Sequence, residues 1–158
     1  MKKLLALLLA ALMLLCLAAC TPTETPETSG TPETSTADSL PALWQSATYK
    51  EDTTLGEGAK TLTVKVVAEG KTVTFTVKTD ADTLGAALTA VNLVEGEQGA
   101  YGLYIKKVNG ITADWDTENA YWAFYINGEY AQTGVDATEL TDGATYSFTK
   151  TISYTVMG

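Results

Sequence analysis

The amino-acid sequence predicts an α+β domain, in which one helix packs against a mixed β-sheet behind an amino-terminal leader and a linker. Three observations lead to this class. Two neighbouring stretches after residue 60 alternate between apolar and polar side chains, as the strands of a hairpin do. An apolar stripe with helical spacing follows, and three further alternating stretches then end at or near turn dipeptides.

The amino-acid composition argues against several classes of function before any motif is considered. The chain has 158 residues, with 10 Lys, no Arg, 19 Asp plus Glu and no His, which give a formal charge of −9. Without His, the chain has no imidazole for catalysis or metal ligation. The acidic balance disfavours nucleic-acid binding, which needs a basic surface. Both cysteines, Cys16 and Cys20, precede residue 21, so no disulfide crosslinks the body of the chain.

The amino terminus has the pattern of a bacterial lipoprotein signal. Lys2 and Lys3 precede an apolar run over residues 4–17, which is too short for a permanent membrane span. Small residues before a Cys, as before Cys20, are typical of the site where such signals are cleaved and the thiol receives lipid. We therefore expect a signal peptide over residues 1–19 and a lipid anchor, with palmitate among its chains, at the extracytoplasmic face of the cell membrane. An ordinary secretory signal is the alternative.

Residues 20–54 are predicted to form a lipid-anchored linker followed by a transitional segment. Residues 21–36 consist mainly of Thr, Pro and Glu, and this composition cannot bury enough apolar surface to offset the entropy lost on ordering. The linker is either a stalk that lifts the domain from the membrane or an inert spacer. Within residues 39–52 we expect an extended piece or an edge strand that docks on the domain through apolar side chains. These side chains are Leu40, Leu43, Trp44 and Tyr49.

The folded body is predicted over residues 55–158 and begins with a hairpin and a helix. Residues 62–66 and 73–77 alternate on either side of a Glu-Gly turn. Asp80 or Asp82 is expected to cap the helix, because a short carboxylate accepts the unpaired N–H groups of a first turn. The helical stripe consists of Leu84, Ala87, Leu88 and Val91. Residues 95–99 are expected to form a flexible acidic loop.

Three more strands are predicted in the second half of the body. Residues 101–108 end at Asn109-Gly110, and residues 121–126 end at Asn127-Gly128. From Ala144 onward, larger side chains alternate with Ser and Thr, so one face of the last strand meets solvent. The order of two strands, one helix and three strands favours a β-grasp-like mixed sheet with one packed helix. About 100 residues suffice for one modest core.

A search for chemistry finds no catalytic set. The sequence has no Ser/His/Asp combination, no Cys nucleophile in the body and no phosphate-binding glycine loop. Asp114, Asp116 and Glu118 have the spacing that begins a calcium loop, but Asn119 stands where that motif requires glycine. A solvated acidic turn is the better interpretation. We expect that the protein is not an enzyme and holds no metal.

Aromatic density is the strongest functional signal in the body. Eight aromatic side chains lie between positions 101 and 130, and such side chains give a large contact area at low entropic cost. The strand that carries Trp122 and Phe124 on one face carries Tyr121 and Tyr125 on the other. Both faces cannot belong to one small core, so we expect residues 39–52, a ligand or a partner to cover the second face.

The order of several short motifs resembles a known family. The motifs are YGLYIKKVNGI at residues 101–111, YWAF at 121–124, GVD at 134–136 and DG at 142–143. In this order they resemble the C-terminal β-domain of intrinsic factor and transcobalamin, and bacterial transcobalamin-like lipoprotein domains share the pattern. The resemblance covers roughly residues 61–148 and agrees best over residues 102–134.

The resemblance implies a position for a ligand. In the animal carriers this domain forms a lid over one face of cobalamin, and a separate helical domain, whose His can ligate cobalt, holds the other face. Carried over by position, the implied ligand-binding residues of this chain are Ala100, Tyr101, Ile105, Phe124, Tyr130 and Ala131. The sequence shows no helical domain and no His, so we expect half of a site.

Two functions therefore stay open. The first is capture of a small ligand, with a corrinoid such as cobalamin implied by the resemblance, for delivery to a membrane transporter or a second binding domain. The second is a protein- or peptide-interaction module on the cell surface without small-molecule binding. Neither function involves nucleic acid. The covalent lipid is expected in both, and a corrinoid only in the first.

Overall fold

The computed structural model describes residues 40–153. The predicted signal peptide, Cys20 and the linker up to residue 39 lie outside the described residues, as do residues 154–158. The described part is a mixed α+β structure with nine strands and short helices, which confirms the α+β part of the predicted fold class. Among these residues, no helix has the length and apolar character needed to cross a bilayer.

Six strands form the main sheet. They are β1 (Thr53–Leu55), β2 (Lys60–Ala68), β3 (Lys71–Thr79), β7 (Ala120–Ile126), β8 (Glu129–Tyr130) and β9 (Thr145–Ile152), in the spatial order β1-β3-β2-β9-β7-β8. Strands β2 and β3 form the predicted antiparallel hairpin. Strand β9 lies between β2 and β7, parallel to β2 and antiparallel to β7. The last described strand is therefore central, and its apolar face buries Tyr146 and Phe148.

Three strands form a second, antiparallel sheet: β4 (Val94–Gly99), β5 (Gly102–Val108) and β6 (Ile111–Thr112). The prediction of a flexible loop over residues 95–99 is wrong, because these residues are β4 and pair with β5. Two cross-strand ion pairs hold the hairpin, Glu95 with Lys107 at 3.0 Å and Glu97 with Lys106 at 2.7 Å. Gly96 has no room for a Cβ, which would overlap the carbonyl oxygen of Tyr104.

The predicted helix is α2 (Leu84–Ala90), and one-turn helices α1 (Ala42–Gln45) and α3 (Trp115–Glu118) accompany it. Helix α2 buries Leu84, Ala87 and Leu88, as its apolar stripe predicts. The predicted cap is wrong: Thr83 accepts the N–H of Ala86. Asp80 instead accepts the N–H of Ala59 at 2.8 Å, and Asp82 lies 3.8 Å from the ammonium of Lys60.

One face of the main sheet carries the core. Its apolar side chains alternate along every long strand and include Val64, Phe75, Tyr146 and Phe148, all of them buried. The opposite face of β9 presents Thr145, Ser147 and Thr149, which are half-buried. Period-two alternation with one polar face is thus confirmed for β9.

Residues 40–49 dock on the domain, as predicted, but as a helical turn rather than an extended piece. Trp44 in α1 is completely buried, and its indole N–H donates to the carbonyl oxygen of Ala68 at 2.8 Å. Tyr49 packs edge-on against Phe75, with ring centroids 5.7 Å apart. Strand β1, at the sheet edge beside β3, begins directly after this segment.

Asn109 fastens the docked segment to the second sheet. It occupies the left-handed region with φ of 51°, and only 1% of its surface is exposed. Its side chain accepts the Tyr49 N–H at 2.9 Å and donates to the Tyr49 carbonyl oxygen at 2.7 Å. Its own carbonyl oxygen accepts the N–H of Thr48 at 2.9 Å. A turn residue therefore acts as a clamp between distant parts of the chain.

We expect Asn109→Gly to lower the free energy of unfolding by about 2 kcal/mol, because two partly buried hydrogen bonds are lost while the positive φ stays accessible. Urea denaturation measures the effect. The matched control is Asn127→Gly, a second Asn-Gly turn with φ of 50° and one exposed side-chain bond, to the N–H of Thr145. Its expected cost is under about 1 kcal/mol. Equal losses of unfolding free energy in the two variants would contradict the role of Asn109 as a clamp between the docked segment and the second sheet.

Candidate functional site

A cleft of about 250 Å³ opens where the second sheet meets the main sheet. Strand β5 forms one wall, β7 forms the floor, and the chain after β8 forms the opposite wall. The lining residues are Leu103, Tyr104, Ile105, Tyr121, Trp122, Phe124, Tyr130, Ala131, Thr133, Gly134 and Val135. None of them carries a charge, so the cleft suits a mainly apolar, uncharged surface.

The floor of the cleft is held by an aromatic stack. Phe124 lies 5.1 Å from Phe148 and 6.4 Å from Tyr146, measured between ring centroids, with interplanar angles of 13° and 23°. Phe148 and Tyr146 are fully buried on β9, while 9% of Phe124 is exposed. Phe124 is thus mostly a core residue whose edge reaches the cleft. Ile105 on β5 is half-buried and packs against the same core.

The rim of the cleft is aromatic and accessible. Tyr104 is 47% exposed and Tyr130 is 55% exposed. Tyr130 stands edge-on to Tyr125 with centroids 5.5 Å apart, and Trp115 lies 6.2 Å from Tyr121. These neighbours cover the second face of β7. The covers that the sequence suggested were residues 39–52, a ligand and a partner, and the last two stay predictions.

Asp136 positions the rim. It lies in a 3₁₀ turn over Val135–Ala137, and its carboxylate accepts the N–H of Leu103 at 2.9 Å and the side-chain amide of Gln98 at 3.2 Å. The same carboxylate lies against Gly85 of α2, where a Cβ would overlap it. One side chain therefore ties α2, the β4–β5 hairpin and the cleft wall together. Sequence reasoning noted Asp136 in a motif but gave it no role.

The structure brings four of the six residues implied by the family resemblance to the cleft. Ile105, Phe124, Tyr130 and Ala131 line it. Ala100 and Tyr101 lie at the turn between β4 and β5, outside the cleft, and Tyr101 is 99% exposed. Sequence reasoning missed the lining contributions of Leu103, Tyr104, Trp122, Thr133 and Val135. The alternating pattern of β5 and β7 was the available signal, since it places residues 103 and 105, and residues 122 and 124, on one face of each strand.

A second, polar groove of about 230 Å³ adjoins the cleft, and Tyr104 lines both. Its remaining lining includes Glu97, Lys106, Asp114 and Trp115. The hydrogen bond that Lys106 donates to Glu97 raises the pKa of Lys106, because the neighbouring carboxylate stabilises the ammonium. The groove therefore presents fixed opposite charges beside the uncharged cleft.

The acidic turn at residues 114–118 caps a helix. Asp114 accepts the backbone N–H of Thr117 at 2.9 Å and its hydroxyl at 3.0 Å. The hydrogen bond from the Thr117 backbone lowers the pKa of Asp114, because it stabilises the charged form. Glu118 pairs instead with the ammonium of Lys150 at 2.6 Å. Within residues 40–153, no three His, Cys, Asp or Glu side chains are grouped so that they could hold a metal ion.

Fold and cleft together define an α+β domain that carries an uncharged cleft beside its second sheet. The family model for a domain of unknown function, DUF4430, matches residues 81–149, the part of the chain that builds the cleft. A protein from Ruminococcus gnavus ATCC 29149, provisionally described as a metal binding protein, is 37% identical in a match covering 61% of this chain and 100% of that one, with a TM-score of 0.58. The chain belongs to the same family as that protein.

A more distant structure shares only the fold. The crystal structure of haptocorrin in complex with Cbi is 14% identical and has a TM-score of 0.50. The match covers 60% of this chain and 25% of haptocorrin, so the chain corresponds to about a quarter of that protein. Comparison with curated proteins finds no match.

Proposed function

We propose that this domain binds one face of a flat, mainly apolar ligand, and that the ligand is a corrinoid. The uncharged cleft with its exposed aromatic rim carries the proposal. A cleft of about 250 Å³ is smaller than the roughly 300–1,000 Å³ of sites that enclose a ligand. It therefore suits part of a ligand rather than a whole one. The fold shared with haptocorrin, solved in complex with Cbi, supports the choice of a corrinoid.

The affinity of such a half-site follows from its area. Covering one face buries on the order of 200–300 Å² of apolar ligand surface, about 5–8 kcal/mol at 25 cal/mol/Å². Association and ordering remove several kcal/mol. We expect micromolar to millimolar binding by this domain alone. Tight capture then requires a second surface, supplied by a transporter or a separate binding domain.

We further propose that the domain is displayed by a lipoprotein. The leader pattern and Cys20 support a lipid anchor at the extracytoplasmic face of the membrane. A β-grasp class is supported by the hairpin β2–β3, the following α2 and the central β9 parallel to β2. The proposed role is binding, and the mainly apolar and aromatic lining of the cleft supports it.

The proposal predicts that Tyr130→Ala weakens cobinamide binding about tenfold, since the half-exposed ring contributes rim area and aromatic contact. Isothermal titration of the purified full-length protein with cobinamide and cobalamin measures the effect. The matched control is Tyr101→Ala, the same change at a fully exposed ring outside the cleft. Its affinity should stay within twofold of the unaltered protein.

The alternative function gives a different result. A protein- or peptide-interaction module would show neither heat nor spectral change with either corrinoid up to millimolar concentration. That outcome would exclude the simple capture proposal. Equal losses of affinity in both tyrosine variants would keep corrinoid binding but move the site from the cleft to the turn at Tyr101.

A further inference from the structure

Trp122 in the floor of the cleft has an unused hydrogen-bond donor. Its side chain is 93% buried, with 7% exposed, and it lines the cleft. Within residues 40–153, its indole N–H is fully shielded from solvent and has no hydrogen-bond partner. The other buried indole, that of Trp44, donates to the Ala68 carbonyl oxygen at 2.8 Å. The fold thus satisfies one buried indole and leaves the other unpaired.

An unpaired buried donor needs an explanation, because folded proteins pair the large majority of such groups. A shielded N–H without an acceptor lowers stability, and phenylalanine would fill an apolar floor without this cost. Trp122 also lies opposite Lys150 on β9, and an ammonium is a donor that cannot accept. The carboxylate of Glu118 is paired with that ammonium at 2.6 Å, and within residues 40–153 no acceptor lies within hydrogen-bond distance of the indole N–H. An acceptor from outside the chain is the remaining use for this N–H.

We propose that Trp122 is the specificity-determining donor of the cleft, and that the bound part of the ligand presents an uncharged amide or carbonyl oxygen to its N–H. This inference rests on the proposed function and adds the chemical group that the ligand must carry. The acceptor is uncharged because no charged side chain lines the cleft, so a carboxylate or phosphate there would be desolvated without a counterion. Flat rings without a carbonyl group would bind more weakly.

Binding must shift the cleft wall slightly for the acceptor to reach the indole nitrogen. Side-chain rearrangements of this size are common at binding surfaces. Ile105 is half-buried and Tyr104 is half-exposed, so both can move. The stacked Phe124 can stay in place, since its ring is held by Phe148 and Tyr146. A small movement of one wall is therefore enough.

The direct test follows the indole N–H resonances of the full-length protein, labelled with ¹⁵N-tryptophan, during titration with cobinamide. The chain has three Trp, so three signals are expected. The Trp122 signal should move downfield and exchange more slowly with solvent when cobinamide binds. The Trp44 signal should stay fixed, because its N–H already has an acceptor. Trp115→Phe and Trp44→Phe each remove one signal, which leaves the third signal assigned to Trp122.

The second test is the affinity of Trp122→Phe, which removes the donor and keeps an aromatic ring. Its cobinamide affinity should be about threefold to tenfold lower, equivalent to about 0.7–1.4 kcal/mol at 1.4 kcal/mol for each factor of ten. Trp115→Phe, the matched change outside the cleft, should bind within twofold of the unaltered protein. Affinity is read by calorimetry and by the corrin absorption spectrum.

The outcomes separate this inference from the proposed function. Cobinamide binding with a static Trp122 signal, or with unchanged affinity in Trp122→Phe, would overturn the donor role and leave the corrinoid proposal standing. Absence of cobinamide binding by the unaltered protein would overturn both. If Trp122→Phe does not fold, the Trp122 resonance of the unaltered protein decides alone.

Discussion

Replacing Trp44 with alanine should lower the free energy of unfolding by about 3–5 kcal/mol, the range for truncating a buried aromatic side chain. Trp44 is completely buried, and its N–H bond to Ala68 would be lost as well. The expected loss is a large fraction of the about 5–15 kcal/mol that stabilises an ordinary domain. Trp44 lies in the transitional segment before the predicted body, which was expected to begin at residue 55, so the variant also tests where the folded unit begins.

Urea or thermal denaturation of the Trp44→Ala protein measures this loss. The matched control is Trp115→Ala, the same change at a side chain that is 48% exposed, with an expected cost of about 1 kcal/mol or less. Trp44→Phe keeps most of the apolar volume and removes the N–H donor, so it separates packing from hydrogen bonding. A Trp44→Ala midpoint equal to that of Trp115→Ala would show that α1 packs too weakly to belong to the folded unit.

The elements that were predicted correctly have strong periodic patterns. Strands β2 and β3 bury alternate side chains along their length, and β9 does so at Tyr146 and Phe148. Helix α2 buries a stripe of period 3.6. A long pattern of one period is specific because any other conformation would expose half of the apolar side chains. The docking of Trp44 was predicted on another basis, the group of apolar side chains that follows a polar linker.

The features that were missed depend on contacts between distant residues. Strand β4 has no apolar alternation and is held by Glu–Lys pairs with β5, so its sequence reads as an acidic loop. Asp136 matters because α2 brings Gly85 against its carboxylate. The sequence holds both residues but gives no sign that they meet. Tyr101 differs from the other implied residues: the family resemblance implies a place at the ligand, and the structure exposes its ring to solvent outside the cleft.

The candidate site was predictable to the extent that it follows the strand alternation of β5 and β7. Ile105 and Phe124 face each other across the cleft region because each lies on the inward face of its strand. The positions of Tyr130 and Ala131 beside β7 were also predictable, because the Asn127-Gly128 turn makes the chain run back antiparallel to β7. The cleft wall at Thr133 and Val135 could not be predicted, since it depends on the Asp136 contacts with another sheet.

Phe124 is a candidate for two roles, stabilising the fold and contacting a ligand. The family resemblance assigns it to the ligand, but its ring is 9% exposed and stacks on two buried aromatic rings. We expect Phe124→Ala to lower the free energy of unfolding by about 3–4 kcal/mol, through lost burial, a cavity and lost stacking. Its effect on a ligand would then follow mainly from a disturbed floor.

Denaturation midpoints and cobinamide affinities of Phe124→Ala, Phe124→Leu and Tyr130→Ala, measured side by side, separate the two roles. Tyr130→Ala should change affinity and leave stability within about 0.5 kcal/mol, because its ring is largely exposed. Phe124→Leu should retain the fold by keeping most of the apolar volume, and so report the ring's own contact with the ligand. A Phe124→Ala protein as stable as the unaltered one would mean that the stack does not hold the floor. The ring would then be free to serve the ligand directly, as the resemblance implies.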